Sequence, residues 1–538
     1  MGLTDFFVAT RGRRRVRARP PYAQTPLLAG MPWLGHVLIF VVCLAYGHVY
    51  ATQVAAGSSP TPFLAPLGVI AALIIWVMPQ ISSPPYAWID RFLIAFLFAL
   101  FCWPDYLALD LPGLPWITAV RLTSFPLTAL MLYALFGSPA ARVRLRTIMS
   151  GSPYVAWGVV VFIALAGLSI AMSKDIPGSS NRYFIALTTW LVPFGAALFY
   201  FSQERSARRL AIYLTGFTIL SILIGMYEAR YAQLPWKNRI PSFLAVPDER
   251  VDALLQGIVR AADGIYRVQS RFSTSIGLGE FFGMALPFML HLMMKTRRAG
   301  VRLLILSLLP PMFYVVLRTG SRLALIAYIS SVALYILFFA LRRWVRRRDS
   351  LIAPAIVLAY PAVMGLFIIA SFLWRRLEVA IWGGGSAAPS TEARRVMVQM
   401  AIPLIERNPI GYGIGRAAET LGFIQPGTNI LSIDSYFLSV VLEFGVVGFI
   451  IYYGIFVWAA GQAAVTAFRS SDEDISYLAA ASIAIVNFLI SKTIYSQQEN
   501  HPLAFILLGF VVALCWREGR KAVPRLTNTA RPRAAAIV

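Results

Sequence analysis

Long apolar runs separated by short polar segments dominate this chain. Read as helices, they fall near 33–53, 63–80, 87–103, 116–136, 153–172, 183–201 and 210–227. They continue near 276–294, 302–317, 322–341, 351–373, 435–460, 475–494 and 501–516. A helix rising 1.5 Å per residue needs roughly 20 apolar residues to cross a bilayer core, and most of these runs reach that length. The pattern predicts an all-α fold, a polytopic membrane bundle of about 14 transmembrane helices. The run at 116–136 carries Arg121 and Pro126 and fits the pattern least well.

Composition agrees with this reading. The 538 residues are 58% hydrophobic and 13% charged, and a soluble domain carries about twice that charged fraction. A formal charge of +24 raises the question of nucleic acid. The excess, however, sits in clusters between apolar runs, as cytoplasmic loops of membrane proteins require, so no nucleic-acid partner is expected. Six arginines between Arg11 and Arg19 place the N-terminus inside, ahead of a run long enough to stay as an anchor. Every second loop is then cytoplasmic. Those loops hold Arg142/Arg144/Arg146, Arg205/Arg208/Arg209, Lys295/Arg297/Arg298/Arg302 and Arg342/Arg343/Arg346/Arg347/Arg348, with Arg517, Arg520 and Lys521 in the tail. One miscounted span would flip the later clusters outward, so an even count with both termini inside is expected. Cys43, Cys102 and Cys515 sit in or beside apolar segments and offer neither a disulfide framework nor paired metal spacing.

The chain therefore divides into a basic cytoplasmic segment (1–32), N-terminal spans (33–150), a transmembrane core (151–516) and a polar tail (517–538) expected to be disordered. The core includes two long outside segments, about 228–275 and about 375–433. The second contains Glu392 to Arg407, where Val396, Met400 and Leu404 recur every four residues. That spacing predicts an amphipathic helix lying on the membrane or capping a cavity, bent near its end by Pro403.

Four polar features converge on the outer side. They are Arg267-Val-Gln-Ser-Arg271-Phe-Ser, Arg318-Thr-Gly-Ser321-Arg322, Asn408-Pro-Ile-Gly-Tyr-Gly-Ile-Gly415-Arg416, and Asp434-Ser-Tyr436. Each has a plain structural explanation as well. Arginines at span ends snorkel to headgroups, a Gly-rich segment makes a turn, Asp434 can cap the following helix, and Gly445 and Gly448 permit close helix packing. Arginines on the side opposite the cytoplasmic clusters nevertheless need a reason, and an anionic ligand supplies one. The planar guanidinium grips two phosphate oxygens and stays charged. A departing diphosphate needs its charge neutralised, and no Asp-x-Asp pair or His cluster on that face suggests a metal, so arginine is expected in that role and no cofactor is expected. Asp434 adds a carboxylate able to take a proton from an attacking hydroxyl. Neighbouring guanidiniums lower its pKa and burial raises it.

These motifs, in this order, together with Glu443-Phe-Gly-Val-Val-Gly, resemble the O-antigen ligase/polymerase superfamily, and within it the polymerase (Wzy-like) branch. The resemblance covers about 150–515. It implies glycosyl transfer outside the bacterial inner (cytoplasmic) membrane, from an undecaprenyl-diphosphate-linked oligosaccharide and without metal or nucleotide sugar. A multi-pass protein with its active site facing the periplasm follows, with membrane lipid around it and a chain-length regulator or export protein as partner. Carried over by position, Arg267 and Arg322 match arginines that hold the diphosphate, and Arg394 matches the arginine opening the helix of the large outer loop. Asp434 stands where the ligases carry a histidine, which favours the polymerase branch and makes Asp434 the substitute base. Ser435 replaces the usual Asn, and Ser275-Ile276 the usual Pro-Asn. His501 lies outside the motifs and is expected to start the last helix.

The expected catalytic residues are thus Asp434, Arg322 and Arg267, with Arg318, Arg271, Ser321, Arg394 and Arg416 binding the diphosphate or glycan. A ligase would use the same chemistry on lipid A-core. A peptidoglycan polymerase would show motifs that are missing here. A flippase or transporter predicts ionisable groups near mid-bilayer and internal symmetry, whereas Arg121 is the clearest charge within a span.

Overall fold

The computed structural model describes 81–110, 116–246, 248–259, 264, 266–346, 351–374, 378, 388–425 and 431–529, with scattered residues between 37 and 52. The first two expected spans lie essentially outside the described residues. Among the described residues, eleven helices are long and apolar enough to cross a membrane. They correspond one for one to the apolar runs from 116 onward, and Tyr86–Cys102 adds a 17-residue apolar helix at the position of the run before them. The run carrying Arg121 and Pro126 forms the helix Ala119–Gly137, with Arg121 Nη1 donating to the Trp116 carbonyl at 2.5 Å.

The chain divides into two compact units, one of 1–85 and 132–144, the other of 86–131 and 145–538. In the described part of the smaller, Ile81 N donates to Gly137 O at 2.9 Å and Arg142 Nη1 closes on Leu135 O and Phe136 O. The larger holds every candidate site residue.

Its centre is the helix Ser275–Lys295, most of which is buried by protein. Small residues explain the close packing. A Cβ on Gly283 would stand 2.7 Å from that of Ala327, and Gly279 lies against Ala324 on the same helix, Arg322–Arg346. Such small-residue faces let helix backbones approach where no hydrophobic effect drives association. Asn487 then ties three helices together, donating to Gly283 O at 2.8 Å and Ser331 Oγ at 2.7 Å. By contrast, Ile352–Leu373 is almost wholly exposed, as a helix facing lipid on most sides should be.

The amphipathic helix forms as Ala388–Arg407, with its apolar face packed on protein. Its buried seam is Met397 and Ala401, flanked by Met400 and Leu404, against Ala417, Leu421 and Leu442. The seam therefore keeps Met400 and Leu404 of the expected stripe and adds the adjacent row of Met397 and Ala401. The tail is ordered further than expected. The last helix runs His501–Thr529, and Arg517 and Lys521, one turn apart, pair with Asp474 and Asp472 of the preceding loop.

Candidate active site

The first arginine motif is held by a buried acid that lies in an apolar span. Glu228 accepts from Tyr266 Oη at 2.9 Å and from the amides of Gln269 and Ser270. Ser270 takes a left-handed φ of 55° in that turn. The segment is then stitched to the second motif: Val268 N donates to Arg318 O at 3.1 Å, and Arg267 Nε to Thr319 O at 2.9 Å. Arg318 Nη2 reaches Ala229 O at 3.4 Å, while its buried Nε has no partner among the described residues.

Arg322 opens its helix and donates through Nη2 to Thr391 Oγ1 at 3.3 Å. Thr391 is one turn ahead of Arg394, whose Nε stands 3.5 Å from Asp434 Oδ2. Asp434 N points to Met397 Sδ at 3.4 Å, so the Arg394/Met397/Ala401 stripe presents both groups together. Arg267, Arg318, Arg322, Arg394 and Asp434 therefore form one connected set at one end of the bundle. Backbone carbonyls and one hydroxyl thus help to orient the first three.

Asp434 does not cap the next helix. Ser435 is the N-cap residue of Tyr436–Arg469 and makes no side-chain cap bond. With its side chain about one-third exposed, the Asp434 carboxyl is pushed above the usual Asp range by burial, and Arg394 offsets only part of that. Burial wins the contest between the two effects.

The remaining candidates lie elsewhere in the same end. Ser321 is a cap residue, its Oγ 3.4 Å from Ala324 N. Arg271 is 4% exposed, with its guanidinium 3.8 Å above the Phe272 ring and 5.1 Å from Phe101. Burial pulls its pKa down to about 10, against the opposing field of Glu499 and Asp105. Arg416 is closed by two acids, Asp175 at 2.8 Å and Glu419 at 2.6 Å.

The Gly-rich segment is a clasp. Gly411, Gly413 and Gly415 all take positive φ, and the turn lies against a break in Tyr436–Arg469 where Gly445 has φ 70° and ψ −175°. Tyr412 N donates to Leu442 O at 2.8 Å, Gly413 N to Glu443 O at 3.0 Å and Val446 N to Pro409 O at 3.0 Å. The loop thus supplies the hydrogen bonds that the helix loses at the break. Gly445 is needed for that backbone conformation, whereas Gly448 serves packing, since a Cβ there would stand 3.0 Å from Leu165. The buried Glu443 carboxylate faces the amides of Gly415 and Ala417 from below, with Arg182 and Arg416 nearby.

Beneath the site lies an ion pair that the sequence reading passed over. Lys492 and Glu280 are fully buried and 2.9 Å apart, with Asn500 Nδ2 on the same carboxylate and Gln497 O on the same ammonium. Glu499 joins this layer, accepting from Ser273 N at 2.8 Å and from Tyr495. Isolated ionisable residues in apolar spans are the signal that marks Glu228, Glu280 and Lys492. His501 starts the last helix as expected. It is fully buried, stacked on Trp190 at 5.3 Å and against Tyr436 at 4.5 Å, and neither ring nitrogen has a partner among the described residues.

Residues 305–453 match the family model described as O-antigen ligase. This segment is an O-antigen ligase-like domain. The matched segment contains Arg318, Arg322, Arg394, Arg416 and Asp434 and ends beyond the Gly445 break. Its function is accordingly glycosyltransferase-like, of the O-antigen ligase/polymerase type. No curated protein matches the chain.

Proposed function

We propose that this ligase-like protein is a polysaccharide polymerase. It transfers an undecaprenyl-diphosphate-linked glycan to a sugar hydroxyl of another lipid-linked repeat unit, on the periplasmic side of the inner membrane. The observation that carries this reading is the contact of Asp434 with Arg394, on the helix that also meets Arg322 through Thr391. A base and diphosphate-binding cations thereby share one surface.

Asp434 takes the proton of the acceptor hydroxyl as that oxygen bonds to the anomeric carbon of the donor. The bond from that carbon to the diphosphate oxygen breaks with its electron pair, and undecaprenyl diphosphate leaves from the opposite face with inversion. Arg267, Arg318 and Arg322 meet the charge that grows on the leaving oxygen. Fixed cations there act more strongly on the transition state than on the ground state, and so lower the barrier. A carboxyl held above its usual range is, once ionised, a stronger base than an ordinary aspartate.

The description of the matching family favours a second reading, a ligase that transfers to lipid A-core. Sizing the lipid-linked glycans in cells lacking the protein separates the two. Polymerase function predicts outward-facing undecaprenyl diphosphate bearing single repeat units. Long chains on that lipid would mean a ligase, and single units trapped on the cytoplasmic face would mean a flippase.

A further inference from the structure

The opposite end of the bundle carries a cavity of about 380 Å³ that the transfer reaction does not use. Four cations from two helices line it. Lys295 ends Ser275–Lys295, and Arg342, Arg343 and Arg346 occupy the last turns of Arg322–Arg346. Both helices begin at the arginine end, so this cavity is across the membrane span from Asp434.

Part of this charge has a structural role. Arg342 Nη2 donates to Ser470 O at 2.6 Å, and Arg346 Nη2 to Phe468 O at 3.2 Å and Arg469 O at 3.1 Å, so both close the C-terminus of Tyr436–Arg469. Those bonds fix the guanidiniums while engaging one nitrogen of each, and a guanidinium has five donor hydrogens. Two acids lie nearby: Glu473 acts on Lys295, while Asp472 is engaged by Lys521 and by the amides of Asp474 and Ile475, and the four cations outnumber them. The floor is closed and neutral in its bonding: His291 Nε2 meets Ser476 Oγ at 2.8 Å and Nδ1 meets Tyr335 Oη at 3.0 Å.

The other wall is apolar. Met294, Phe338 and Phe339 line it, and Met294 and Phe339 are 44% and 40% exposed. A soluble anion has no use for such a wall. A molecule with a phosphate at one end and hydrocarbon at the other matches both sides, and basic pockets between transmembrane helices are where such headgroups bind.

We propose that this cavity binds the phosphate of an anionic membrane phospholipid, with its headgroup between Lys295 and Arg343 and an acyl chain along Met294, Phe338 and Phe339. The test uses the full chain purified in neutral detergent, given phosphatidylglycerol, phosphatidylcholine or inorganic phosphate. Native mass spectrometry counts retained lipid, and thermal unfolding follows the shift in Tm. Phosphatidylglycerol is expected to be retained at one molecule per chain and to raise Tm saturably, with little effect from the other two.

Losing one cation near a lipid headgroup costs about fivefold in affinity, so Lys295→Gln with Arg343→Gln should weaken phosphatidylglycerol binding more than tenfold. Lys295→Arg should keep it. Equal retention of phosphatidylcholine, or unchanged phosphatidylglycerol binding in the double variant, would overturn the proposal. The same Tm rise from inorganic phosphate at equal concentration would also overturn it, making this a site for soluble anions. The comparison of lipids on the unaltered chain decides the matter even where the double variant fails to fold.

Discussion

Two charged clusters share one end of this bundle, and they are built in opposite ways. Around Arg416, each cation is met by acids: Asp175 and Glu419 at its tip, and Glu443 below with Arg182 beside it. Around Asp434, neutral atoms help to orient three arginines, namely Thr319 O, Ala229 O and Thr391 Oγ1, while Arg394 faces the Asp434 carboxylate. The first arrangement holds a loop in place. The second orients its arginines in part through backbone and hydroxyl oxygens. The number of arginines therefore says less about function than the nature of the partners that orient them.

Four substitutions test the contrast. The largest loss is expected for Asp434→Asn, which keeps shape and removes the base: glycan transfer should fall by about 10²- to 10⁴-fold, measured on membranes with matched protein levels. Retained transfer would move the base elsewhere. Next comes Arg322→Ala, which should lower transfer by about 10²- to 10³-fold, as the loss of a charge-stabilising group does, with Arg322→Lys restoring little because a point charge replaces a fork.

Arg394→Gln should have a smaller effect with a directional signature. The guanidinium lowers the Asp434 pKa against burial, so removing it raises that pKa further. A general base works only when ionised. The acid limb of the pH–rate profile should therefore move to higher pH, with about a tenfold loss below the shifted limb and a smaller loss above it. A shift to lower pH would contradict the assigned field. Last, Arg416→Gln should lower Tm by only about 1–2 °C, because the acids it leaves, Asp175 and Glu419, are largely exposed, and should leave transfer per folded molecule within about twofold. A selective loss of activity would place Arg416 with the substrate and collapse the distinction between the clusters.

The helices from Tyr86 onward were legible because spanning a bilayer demands long apolar runs, and composition alone reports those. The spacing of Val396, Met400 and Leu404 likewise predicted a helix, but not the surface it would meet; packing on Leu442 and Leu421 decided that. Candidates were legible wherever charge sat at a span end, as with Arg267, Arg322 and Asp434. What joins them was not. Glu228 holds its motif through bonds to residues 38 to 42 positions away, and Lys492 meets Glu280 across 212. No local period carries such pairings. The break at Gly445 was hidden for a similar reason, since its missing hydrogen bonds are supplied by a loop some thirty positions earlier.

That break has a topological consequence. Because Tyr412 and Gly413 are bonded to Leu442 and Glu443, the chain leaves and re-enters the bundle at a single riveted point. Everything between forms a lasso whose neck is fixed, and lengthening a lasso adds closure cost only logarithmically. The stretch between 422 and 433 can thus change in length by insertion or deletion while the frame below, including the packed Ala417 and Leu421, stays registered.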